Sequence, residues 1–235
     1  MTNAKGPLFA AFALFAFLDS ANAAPPPETL DAWQQYAAGL EQQLDRGRGA
    51  ARSAPHDVVT ATGRSIPVPS GTVSHWHGSV FIRGVTLDHV LSGLTSPGTP
   101  PPQADVVASR VLAHDARSVR VYIRLVRHAI VTATYDTEHE MRFTRHSPTL
   151  ATARSVATRI EEVGGGDRGF LWRLHSYWRY EQQPGGVLVE LDSLTLSRSV
   201  PALVRPVAMP LVNSVARESM TRTLEALQQF FERRG

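Results

Sequence analysis

The chain has 235 residues, 43% of them hydrophobic, no cysteine and a formal net charge of +3. Without cysteine there can be no disulfide, thiolate metal site, cysteine nucleophile or thiol-linked lipid. So small a net charge also argues against nucleic acid as a partner, because that surface needs clustered basic residues with interleaved aromatics.

Met1 to Ala23 reads as a secretory signal peptide. It has a cationic start at Lys5, an apolar run from Pro7 to Leu18 and a small-residue cleavage site at Ala21-Asn22-Ala23. The expectation is a periplasmic or secreted protein cleaved after Ala23, and the apolar run is short for a membrane span. Ala24 to Pro27 reads as a proline-rich spacer. Glu28 to Leu44 is helical in pattern, with Leu30, Trp33, Tyr36 or Ala37, Leu40 and Leu44 at three- and four-residue steps, and fits either packing on the domain or an interaction arm. Arg46 to Ser70 is rich in Gly, Ala, Arg, Ser and Pro and reads as an irregular connection. Residues 24–71 are therefore expected to be an N-terminal helix and linker, and 72–235 the main domain.

Within that domain Thr72 to Ile82 is expected as a strand and Thr86 to Leu94 as a short helix, followed by the loop Thr95 to Gln103. Six more strands are expected at 105–113, 118–127, 131–143, 149–163, 170–183 and 187–198, with turns too short for crossover helices. That spacing predicts an antiparallel meander of about seven strands. Residues 201–234 read as a terminal helix with Leu211, Val215, Leu224, Leu227 and Phe231 on an apolar stripe, Pro206 and Pro210 delaying or kinking its start. The α+β reading is a curved antiparallel sheet wrapped on one long helix.

The clearest pattern lies in 169–198. Phe170, Trp172, Leu174, Ser176, Trp178 and Tyr180 fall on one strand face, Arg173, His175, Tyr177, Arg179 and Glu181 on the other, and Pro184-Gly185-Gly186 supplies the hairpin turn. The charged residues Arg120, Arg124, Glu138, Glu140, Arg142, Arg173, Arg179 and Glu190 read as solvated sheet surface.

Several strings in this order resemble the START-like, or SRPBCC, helix-grip superfamily that also contains Bet v 1-like proteins. They are His75-Trp76, Thr137 to Glu140 (TEHE), Ala157 to Ile160 (ATRI), Gly169 to Leu174 (GFLWRL), Ser176 to Arg179 (SYWR) and Arg217 to Ser219 (RES), and they are similar to bacterial secreted members of unassigned function. The resemblance covers roughly residues 72–231. It implies a cavity between the concave sheet and the C-terminal helix that takes lipids, sterols, polyketides or other apolar molecules. Thr95 to Gln103 departs from it, being dominated by proline and glycine where related sequences carry a longer second helix.

Trp172, Trp178, Tyr135 and Met141 are expected to line the cavity, with Ser176, Tyr180, His139 and His75 as further lining residues. His75 and His77 have ligand-like spacing on one strand face, yet nothing in the sequence brings a third and fourth ligand to them, so no metal and no cofactor are expected. His139-Glu140-Met141-Arg142-Phe143 begins like HExxH but lacks the second histidine and sits in a strand pattern. Asp136, Glu138 and Glu140 share a face that reads as a solvated rim, and Gly164 to Gly166 as a turn between strands. No nucleophile elbow or phosphate loop is present. The sequence reading is an exported domain binding an apolar or amphipathic molecule, with no catalytic residue assigned. A peripheral membrane contact and the oligomeric state stay open. Two alternatives remain: a cyclase- or hydratase-like enzyme using His75, His139 and Tyr135 as acid–base groups, and an adaptor with a filled core.

Overall fold

The computed structural model describes residues 24–50, 59–96, 105–115, 117–128, 132–164, 171–200, 203 and 205–233. Expectations for the signal segment, for the loop residues 97–103, for Gly165-Gly166 and for Phe170 lie outside them.

Among the described residues three helices and eight strands follow one another as α1 (Pro27–Arg46), β1 (Thr60–Val68), β2 (Gly71–Arg83), α2 (Leu87–Thr95), β3 (Val106–His114), β4 (Ser118–His128), β5 (Thr132–Ser147), β6 (Leu150–Glu162), β7 (Arg173–Gln183), β8 (Gly186–Arg198) and α3 (Arg205–Glu232). The strands form one sheet ordered β1-β2-β8-β7-β6-β5-β4-β3, and every neighbouring pair is antiparallel. The architecture is α+β, as expected, with one strand more than the expected count of about seven.

The additional strand is β1, which falls inside the expected linker. It is an edge strand pairing only with β2. An edge tolerates Gly63 and Pro67, the residues that obscure its pattern, because an outward N–H is not needed for the ladder. The expected domain boundary near Thr72 therefore lies inside a hairpin that turns at Pro69-Ser70. The β7–β8 hairpin turns at Pro184-Gly185, where Gly185 has φ 84°, a conformation that costs glycine nothing. α2 starts where Thr86 caps it, its side chain accepting from the His89 N–H at 3.2 Å.

Each face of the sheet is covered by a different helix. On the concave face α3 lies over β2 and β1. Met220, Leu224, Leu227 and Phe231 are buried there with Trp76, Val80 and Ile82 of β2 and Val187, Val189 and Leu191 of β8. Gly78 permits this close approach: a Cβ at that position would stand 2.7 Å from Leu224 Cδ1 and 2.9 Å from Met220 Cγ. Pro206 stands in the first turn of α3, where a missing N–H costs nothing, and Pro210 lies inside the helix.

On the convex face α1 lays Trp33, Ala37 and Leu40 on Val73, Tyr177, Leu194 and Leu196. Of the two roles its amphipathic pattern allowed, α1 takes the packed one. It is tied further by Thr29 Oγ1 donating to the Pro69 carbonyl at 2.6 Å, and by Glu41, which accepts from Tyr177 OH at 2.9 Å and from Arg154 Nε at 2.8 Å.

Candidate functional site

Antiparallel register decides which residues share a surface, because direct partners on adjacent strands point the same way. One row across β5, β6, β7, β8 and β2 reads Phe143, Ala153, Trp178, Leu191, Gly78. The next reads Met141, Ser155, Ser176, Ser193, Trp76. Both rows lie on the concave face and neither carries a charged residue. Toward the C-terminal end of α3 the row Ala151, Tyr180, Val189 and Val80 is apolar, and Arg145 at its β5 end is paired with Asp88 of α2.

The terminal helix crosses this face from edge to edge. Near β1, Asn213 Oδ1 accepts from Ser65 Oγ at 2.9 Å. At the opposite end of the strand order, Arg222 Nη2 donates to both carboxylate oxygens of Asp105, at 2.9 and 3.1 Å, immediately before β3. One helix can reach both edges only if the sheet curls around it. Between those anchorages Trp178, Met141, Val121 and Val111 stay half-buried although they pack against the core. Trp178 stacks parallel to Tyr180, the ring centroids 6.2 Å apart.

Of the eight sequence-expected cavity residues, Trp178, Met141, Ser176, Tyr180, Tyr135 and His139 lie on this face. Tyr135 is buried in a separate group with Leu125 and Ala133, away from the α3 packing. Burial lowers the His139 pKa to about 4, so the ring is neutral near pH 7. Thr137 gives its hydroxyl hydrogen to the Ile123 carbonyl at 2.9 Å, so its oxygen must accept from His139 Nε2 at 3.0 Å. The proton is therefore on Nε2, and Nδ1 carries a lone pair.

Two residues are placed differently from expectation. Trp172 precedes β7 rather than belonging to it, so strand alternation does not govern its side chain, and it packs with Trp33, Val73 and Leu196 in the convex core. His75 also lies on the convex face, opposite to its neighbour Trp76. Its Nδ1 is hydrogen-bonded to Tyr36 OH of α1 at 2.9 Å and its Nε2 donates to Asp192 Oδ1 at 2.9 Å. His77 Nδ1 meets the same Asp192 oxygen at 3.2 Å. Burial alone would raise the Asp192 pKa, but the two histidine hydrogen bonds outweigh it and hold the carboxyl below its ordinary value. His75 and His139 are on opposite sides of the sheet and cannot act on one substrate.

The charged convex residues are mostly ion-paired. Asp136 takes a fork from Arg124 at 2.7 Å, and Glu138 meets Arg159 at 3.4 Å. Arg179 departs from the solvated surface expected of it. Its side chain is 12% exposed and binds Glu181 at 2.5 Å and Glu190 at 3.1 Å. Sequence reasoning missed Ser155 and Ser193, because the feature they form with Ser176 exists only across three strands in register.

No protein-family model and no curated protein matches the chain. Solved structures do. A STAR-related lipid transfer protein from Xanthomonas axonopodis matches at 17% identity with a TM-score of 0.50, covering 72% of this chain and 97% of its own. A START superfamily protein from Mycobacterium smegmatis matches at 11% identity and TM-score 0.47, over 68% and 99% of the two chains. Human StAR-related lipid transfer protein 5 does so at 16% identity and TM-score 0.47, over 85% and 97%. The chain has the START-like helix-grip fold.

Proposed function

We propose that this protein is an exported START-like domain that holds an apolar or amphipathic small molecule between the concave sheet and α3. The observation that carries this reading is the half-buried state of Trp178, Met141 and Val121 on an uncharged, curved surface spanned by a helix at both edges. An adaptor with a filled core would have driven these side chains to full burial, since each retained patch forfeits roughly 25 cal/mol per Å² of apolar area. The lipid-transfer names of the structural neighbours agree with it. The cyclase- or hydratase-like alternative loses its histidine pair to opposite faces of the sheet.

Export rests on the composition of residues 1–23, and contact with a membrane surface would serve delivery of such a ligand. Among the described residues no helix is long and apolar enough to cross a membrane. The test is native mass spectrometry of protein recovered from its native host without detergent. A co-purifying mass that extracts into organic solvent is expected; ligand-free protein that also takes up no alkane or acyl chain in vitro would overturn the reading.

A further inference from the structure

Ser155, Ser176 and Ser193 stand directly opposite one another on β6, β7 and β8. Strand spacing sets neighbouring members about 4.8 Å apart, so the three hydroxyls span about 10 Å across the floor of the concave face. All three are half-buried, and none has a hydrogen-bond partner among the described residues. A core position has no use for such groups: alanine would fill it at no polar cost, and half-buried hydroxyls without partners call for water or a ligand.

The row is bounded by apolar surface on one side, where Trp178 and Tyr180 lie, and by His139 on the other. His139 is the diagonal neighbour of Ser155, beyond Met141, and offers Nδ1 as an acceptor with no protein partner. No fixed positive charge lies within the row. Of the α3 arginines that reach the sheet, Arg222 is neutralised by Asp105 and Glu218, and Arg217 is exposed, its Cζ 5.9 Å from the Trp76 ring centroid.

We infer that the serine row, with His139 as acceptor, seats the polar end of the ligand, and that this end is an uncharged, multiply oxygenated group such as a glyceride or acylated-polyol head. Three hydroxyls can each donate to an ester or hydroxyl oxygen, and a ligand hydroxyl can donate to Nδ1. A carboxylate would repel that lone pair and lie in an apolar space with no buried cation to compensate it, which is costly. The apolar tail then runs over Trp178 toward the C-terminal end of α3.

This inference rests on the proposed binding of apolar molecules, and three C12 probes separate the two. Tryptophan-fluorescence titration with 1-monolauroylglycerol, laurate and dodecane at pH 7.5 is expected to show the monoglyceride binding at least ten-fold tighter than laurate. In a Ser155→Ala/Ser176→Ala/Ser193→Ala variant the preference should vanish while dodecane binding stays within two-fold. Ser176→Ala alone, expected to lose about three-fold in monoglyceride affinity, serves if the triple variant melts early. Laurate binding as tightly as the monoglyceride, or a preference that survives in both variants, overturns the inference while leaving dodecane binding intact. Failure of all three probes overturns the binding reading itself.

Discussion

His139 shows how the concave face constrains single residues. Held neutral by burial, with a folded pKa of about 4 against an unfolded value near 6.5, it opposes folding as acid is added. The sign follows from proton uptake: the unfolded chain binds a proton below about pH 6.5 while the folded one does not until about pH 4, so stability falls across that window and then levels off. Linkage predicts that His139 accounts for about 2 kcal/mol of the stability lost between pH 7.5 and 5. Urea melts at the two pH values should show a correspondingly smaller loss in His139→Leu than in the parent; equal losses would mean the ring is already solvated. His175 responds in the same direction, its pKa also lowered to about 4 by burial, against Trp33, and further by the positive charges of Arg154 and Arg173. Residue types on strand faces were legible in the sequence because alternation is strict inside a strand, which is why Trp178, Met141 and His139 were placed on the right face. Trp172 was not, because alternation ends where the strand ends, one residue away. Strand parity puts His75 with His77 and away from Trp76, on the face that α1 covers.

At the scale of elements, the two helices clamp the sheet from opposite sides and both are integral to it. Leu224 is fully buried and Leu227 nearly so, and Leu→Ala at either should cost about 2–5 kcal/mol in urea melts. Trp33→Ala on α1 should cost about 3–5 kcal/mol, since Trp33 is 3% exposed against Val73, Leu194 and Leu196. A Trp33→Ala variant as stable as the parent would show α1 detached from the convex face in solution. Helix periodicity made α1, α2 and α3 readable, and turn residues separated the meander strands from one another. β1 escaped because Gly63 and Pro67 interrupt its alternation, and an edge strand pairing on one side needs less of it. The serine row was invisible for a different reason: register between β6, β7 and β8 is a tertiary property, set by turn lengths and packing, and no local spacing encodes it.

For the whole molecule, the sheet order and the Arg222–Asp105 bridge mean that α3 closes an arc whose two central inner rows are uncharged and incompletely buried. The START-like order of elements was legible from the sequence; which face α1 covers and where α3 anchors were not. Export predicts that protein from the native host begins at Ala24 on N-terminal sequencing, and a chain retaining Met1 would overturn it. The central claim is that an apolar ligand lies on the concave face, and tryptophan placement allows a direct check. Trp178 stands half-buried on that face and Trp76 is packed beneath α3, out of a ligand's reach, whereas Trp33 and Trp172 are on the other face. Bromine quenches indole emission only at near contact, so titration with 1-bromododecane reports which tryptophan the ligand touches. The account predicts saturable quenching that is largely lost in Trp178→Phe and retained in Trp172→Phe. Quenching that never saturates, or that disappears with Trp172→Phe and survives Trp178→Phe, would contradict it.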